Sequence, residues 1–192
     1  MAKSSKGGQF ERDISRYISQ WITGDKDCEP LIWRSAGSGA QATFSRRRGK
    51  AVQKNLEGDL IAIDERANFF MDVVSIECKT GYKTANIFTT FKETKTDVLR
   101  KFWEQACGQA KSSKKWPMLI FKPLGNKVLM GVIPEFLNTY FHNIKLEHYV
   151  QISFNTQLPP LLLIEMDTFF KSISPEQFRE AQCTNFIFGQ TF

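Results

Sequence analysis

Two histidines, four scattered cysteines and no long apolar run mark this 192-residue chain by what it lacks. Cys28, Cys78, Cys107 and Cys183 form no CxxC pair, and His142 and His148 are spaced unlike a helical ligand pair. A zinc centre is therefore not expected, and the thiols read as reduced and mostly buried. No stretch approaches the roughly 18 apolar residues of a membrane span. The opening MAKSSKGGQF is basic but lacks the apolar stretch of a secretion signal, so the expected location is the cytoplasm. Repeats and low-complexity tails are absent as well. What is present suits a single domain over 1–192: 42% apolar and 24% charged residues, enough to bury a core without disulfide staples. The net charge of +6 adds a polyanion to the candidate partners.

Apolar spacing at Phe10, Ile14, Tyr17, Ile18 and Trp21 predicts an amphipathic helix over 9–22, ending near Gly24. Leu31 to Arg34 reads as a short strand, followed by SAGSGAQATFSRRRGKAVQKN, a glycine-rich basic loop. Leu60 to Ile63 and Phe69 to Cys78 flank the polar tip DERAN and predict a β-hairpin. A second amphipathic helix is expected over 94–110, then strands over 117–122 and 127–133 joined by a PLGN turn. Beyond Pro134 a short helix, strands near 149–154 and 161–166, and a helix after Ser174 complete the pattern. This order of elements predicts an α/β architecture.

The charged end of the hairpin, in GDLIAIDERANFFMDVVSIECKT, needs a reason. Alternate residues of a strand share a face, so Ser75, Glu77 and Lys79 project together while Ile76 and Cys78 face the core. With Asp59 opposite them, the Cβ atoms would lie within about 5.5 Å. Two converging carboxylates suit a hard divalent cation, and a lysine beside them can orient a water or offset the charge of a phosphodiester transition state. The plainer reading of Glu77 and Lys79 alone is a solvated ion pair of little energetic value. Asp64 and Asp72 lie near the hairpin tip and serve turn and solvent, with a ligand role as second choice.

Several residues keep two readings. Glu11 either complements its helix dipole or turns from the margin of the apolar stripe toward the sheet. Gln105 and Gln109 read as surface residues at the margin of their helix. Arg46, Arg47, Arg48 and Lys50 precede Asp59 closely in sequence, which favours a phosphate-contacting loop over a merely solubilising run. Ser38, between two glycines, can bind phosphate or form a turn. The four tryptophans and 17 phenylalanines read mainly as core, with Phe44 in the basic loop as the one that could meet DNA.

Gly58-Asp59 followed by Glu77-Cys78-Lys79 resembles the PD-(D/E)XK nuclease motif, with glycine where proline is usual. Together with Glu11, the Arg34 to Gly39 stretch and Gln105, it resembles archaeal-type Holliday-junction resolvases. The resemblance implies a restriction-endonuclease-like core over about 7–133, with a central mixed β-sheet flanked by helices. It leaves a C-terminal α+β extension over about 134–192. It further implies Asp59, Glu77, the Cys78 carbonyl and Glu11 as ligands of Mg²⁺, with Mn²⁺ able to substitute. Lys79 would serve the chemical step and Gln105, or Gln109 in its place, would join the catalytic group. Arg34, Ser38, Arg46, Arg47, Arg48 and Lys50 would contact DNA, with a homodimer acting on branched substrates. Two rivals stand beside it: a restriction- or repair-type nuclease of linear duplex DNA, and a non-catalytic DNA-binding protein on a nuclease-like scaffold.

Overall fold

A computed structural model describes residues 6–35, 58–82, 97–123, 125, 127–141, 146–154 and 157–185. Helix α1 (Lys6–Thr23) buries Phe10, Ile14, Ile18 and Ile22, one residue per turn, and ends at Gly24, whose φ of 70° closes the helix. Ser15 and Ser19 are also buried on this face. Ser19 Oγ donates to the Ser15 carbonyl at 2.8 Å and accepts from the Leu31 N–H at 3.0 Å, while Ser15 Oγ donates to the Ile32 carbonyl. These bonds fasten strand β1 (Ile32–Arg34) along the helix. β1 pairs antiparallel with β2 (Leu60–Ala62), Arg34 opposite Leu60.

The expected hairpin is not formed. Residues Glu65–Ala67 make a 3₁₀ turn and Asn68–Met71 a short helix, α2, so the second strand begins only at β3 (Val74–Thr80). The cause is local and tertiary at once. Asp64 caps the turn by accepting from the Arg66 N–H at 2.9 Å, and Phe70 and Met71 sink into the core. A short apolar run such as Phe69-Phe70-Met71 carries no period of its own, and helical packing wins.

β3 is one edge of a five-stranded mixed sheet of order β3-β4-β5-β7-β6. It runs parallel to β4 (Trp116–Lys122), and a parallel pair requires a crossover, supplied by α3 (Val98–Ser113). Asp97 caps α3, its carboxylate accepting from the Arg100 N–H at 3.1 Å. β4 pairs antiparallel with β5 (Leu129–Val132). After α4 (Pro134–Tyr140), the remaining strands β6 (Val150–Ile152) and β7 (Leu161–Glu165) return to the same sheet, β7 bonding β5 directly. Helix α5 (Met166–Ser172) starts where the expected strand would have continued, and α6 (Pro175–Asn185) follows.

The two faces of the sheet bury different partners. Val74, Ile76 and Cys78 join α1 and the aromatic helices in one core. Leu119 and Phe121 pack with Leu99, Phe102, Trp103 and Ala106 of α3 in the other. In the first core Phe178 of α6 is fully buried, its ring centroid 5.1 Å from Phe70, 5.5 Å from Phe141 and 6.4 Å from Trp21. Removing it would leave a cavity shared by helices from both ends of the chain. Phe178→Ala is therefore expected to cost ~3–5 kcal/mol in urea unfolding. A loss below about 1 kcal/mol would show that α6 contributes little to the core.

Candidate active site

Asp59 is held against the outer edge of β3 from both sides. Its N–H donates to the Ile76 carbonyl at 2.8 Å, and its Oδ2 accepts from the Cys78 N–H at 2.8 Å. The Ser35 N–H donates to the Asp59 carbonyl, and Ser35 Oγ to that of Gly58, each at 2.8 Å. Peptide groups alternate along a strand, so the Cys78 carbonyl shares the free edge with its N–H, beside Asp59. Gly58 permits this approach. Its φ is 99°, and a Cβ there would stand 3.0 Å from the Ile76 carbonyl oxygen and 3.2 Å from Ser75 Oγ. Proline, with φ fixed near −65°, cannot take that conformation, which accounts for glycine at this point of the motif.

Glu77 does not lie on a solvated strand face. It is 1% exposed beneath α3, with Oε1 paired to Lys79 Nζ. Its Oε2 is buried and, among the described residues, has no hydrogen-bond partner. The Lys79 ammonium lies 5.7 Å from the centre of the Phe102 ring, against which the Tyr82 ring also packs, centroids 4.7 Å apart.

The charges act on one another through little water. Burial, then the Glu77 charge, pushes the Asp59 carboxyl up to about 7; Glu11 adds to the rise, while the Cys78 N–H and Lys79 oppose it. For Lys79, burial alone would lower the pKa, but Glu77 and Asp59 outweigh it and the ammonium is held above its ordinary value. The Cys78 thiol, on the opposite face, is driven well above the usual range by burial and by the nearby acids, so it offers no thiolate nucleophile.

Glu11 is buried on α1, where its carboxylate binds Arg34 Nε. The acid expected to bind metal and the arginine expected to bind DNA are thus paired with each other. Gly8 makes room for the arginine, since a Cβ there would stand 2.9 Å from Nη1. Among the described residues no three His, Cys, Asp or Glu side chains form a ready metal-holding group. Gln105 is exposed on α3, whereas Gln109, one turn on, has a buried Oε1 without a partner among the described residues. Asp64 is bonded to Arg66 and Asp72 is exposed at the end of α2, so neither joins Asp59. Ser38, Phe44, Arg46, Arg47, Arg48 and Lys50 lie outside the described residues.

Sequence reasoning gave no role to Ser35 or Phe102, both of which meet the site. Nothing in the amphipathic pattern expected over 94–110 singles out Phe102 as the residue that covers Lys79. The donors present are all oxygen: the Asp59 and Glu77 carboxylates and the Cys78 carbonyl. With one carboxylate oxygen buried and unpartnered, this set fits a hard divalent cation.

A family model described as "Phage putative PDDEXK endonuclease" matches residues 2–180. No curated protein and no solved structure matches the chain. The match covers the paired acids, the lysine and every strand of the sheet, including those that resemblance to the resolvases left unassigned. The chain belongs to this family of phage PDDEXK endonucleases.

Proposed function

We propose that the protein is a divalent-metal-dependent endodeoxyribonuclease, resolvase-like and acting on branched DNA as a homodimer. The observation that carries the metal-dependent reading is the juxtaposition of Asp59 with Glu77 at the edge of β3, one Glu77 oxygen paired to Lys79 and the other buried without a partner among the described residues. Asp59, Glu77 and the Cys78 carbonyl would hold Mg²⁺, with Mn²⁺ as substitute and Glu11 near enough to add negative charge. When bound, the metal supplies a water of lowered pKa and a Lewis acid for the phosphoryl oxygen.

The chain's own groups do the rest. Asp59 and Glu77 fix the site against the strand edge. Lys79, kept protonated by its acidic neighbours, offsets charge gathering on the non-bridging oxygens in the transition state. Phe102 and Tyr82 limit water on the side of the ammonium, which strengthens that interaction. Gln109, with its carbonyl turned inward, is a better candidate than Gln105 for a supporting group on α3.

The choice of branched DNA rests on the resolvase resemblance and on the basic stretch from Arg34 to Lys50. A C2 dimer would set two active sites on the two symmetric strands of a junction. The test compares four-way junctions with linear duplexes of matched sequence in Mg²⁺. Preferred, paired incision of the junction is expected, whereas equal or better cutting of the duplex would favour the restriction- or repair-type reading. Changing Arg46, Arg47 and Arg48 to Ala should weaken junction binding and reduce the log-log salt slope by about 0.9 per lost phosphate contact. An unchanged slope would remove this segment from the DNA interface.

A further inference from the structure

Ser75 Oγ, Glu77 Oε2 and Gln109 Oε1 are the buried side-chain oxygens without a hydrogen-bond partner among the described residues. Buried polar atoms are almost always satisfied, so three unpartnered ones call for a common cause. Ser75 and Glu77 belong to β3 and Gln109 to α3, two elements that pack against each other. Ser75 and Glu77 lie two apart on β3 and so share a face, the one covered by α3. Gln109 stands seven residues after Phe102, on nearly the same side of the helix, and Phe102 is the residue that covers Lys79. The chain turns back directly after α3: the Lys115 N–H bonds to the Ala110 carbonyl and the Trp116 N–H to the Val73 carbonyl. That connection brings the last turns of α3 to the beginning of β3, at the level of Ser75. Gly58 lies against the serine, since a Cβ there would stand 3.2 Å from Ser75 Oγ.

The hydrogen-bonding capacities complement one another. A serine hydroxyl can donate one bond, while a carboxylate oxygen and an amide oxygen can only accept. A water with three polar partners meets the usual requirement for an internal water, and here it would accept from Ser75 and donate to the other two. We propose that one internal water links Ser75 Oγ, Glu77 Oε2 and Gln109 Oε1, making Ser75 and Gln109 positioning residues for the Glu77 carboxylate. A carboxylate oxygen has a second lone pair, so the bridge leaves Glu77 able to bind a cation. The consequence for metal affinity rests on the metal-dependent reading above; the bridge itself does not.

The test is a double-mutant cycle of Ser75→Ala and Gln109→Leu, followed by thermal unfolding of the metal-free protein and by titration with Mn²⁺ monitored by electron paramagnetic resonance. With the water in place, each single substitution lowers Tm, and the double lowers it by less than the combined effects, because either one already breaks the shared bridge. The half-saturating Mn²⁺ concentration should rise by about 10- to 100-fold in Ser75→Ala, as for other groups that orient a metal ligand. A truly unsatisfied hydroxyl gives the opposite sign, with Ser75→Ala raising Tm. A raised or unchanged Tm, or additive effects in the cycle, would overturn the bridge. An unshifted Mn²⁺ midpoint would overturn the positioning role. If the unmodified protein bound no Mn²⁺ at all, the metal-dependent reading would fail while the Tm cycle still decided the bridge.

Discussion

Asp59→Asn is expected to abolish cleavage, lowering turnover by about 10³-fold or more, equivalent to ~4 kcal/mol of lost transition-state stabilisation. DNA binding should be nearly unaffected, because the substitution removes a charged ligand and keeps the shape. The same change should alter stability in a way that ordinary damage would not. An unfolded aspartate titrates near 3.9, whereas burial and Glu77 push this one to about 7 in the folded chain without metal. Between those values the folded state holds a proton that the unfolded state has lost. Metal-free stability therefore falls as pH rises from about 4 to about 7, by on the order of a few kcal/mol, and stays low above that range. Asparagine does not titrate, so the variant should lose this slope and be more stable than the unmodified protein at pH 8. Conversely, Mg²⁺ at about 100 times its Kd should stabilise the unmodified protein by about 2.7 kcal/mol and the variant little. Cleavage at the unmodified rate in the variant would move the site elsewhere.

Lys79→Ala comes second in expected effect and acts on two quantities at once. Loss of a donor placed for the transition state should lower kcat by about 10²–10³-fold with little change in DNA affinity. An equal loss of affinity would instead make Lys79 a phosphate anchor. The substitution also strands the Glu77 carboxylate, 1% exposed, without its cation, which should cost about 3–5 kcal/mol of stability. Lys79 has a raised pKa, so its contribution is fully present below the ordinary lysine range and is lost only as pH rises through the folded value. Adding Glu77→Gln to Lys79→Ala removes the stranded charge and should recover most of the stability but none of the activity. Recovered cleavage in that double variant would show that neither charge takes part in the reaction.

The two amphipathic helices and strands β4 and β5 were legible in the sequence because each carries its own apolar pattern and, for α1, its own punctuation at Gly24, whereas the start of α3 at its Asp97 cap was not. So was the shared face of Ser75, Glu77 and Lys79, which follows from strand alternation alone. Other features depended on contacts between distant parts of the chain. Phe69-Phe70-Met71 suits a strand or a helix equally, and the aromatic core around Phe178, more than a hundred residues away, selects the helix. Alternation shows that Glu77 and Lys79 point together but not that α3 covers them, and that cover separates a buried, coupled site from a solvated ion pair. Asp59 reached β3 without the expected hairpin, through β1, its own N–H donated to the Ile76 carbonyl and the Cys78 N–H donated to its carboxylate. The pairing of Glu11 with Arg34 and the return of β7 to β5 were likewise invisible in one dimension. Local sequence thus determined which residues could form each element and share its face. Only the tertiary structure decided which carboxylates lost their water and which cation compensated each, because desolvation depends on everything packed around a charge and not on its neighbours in the chain.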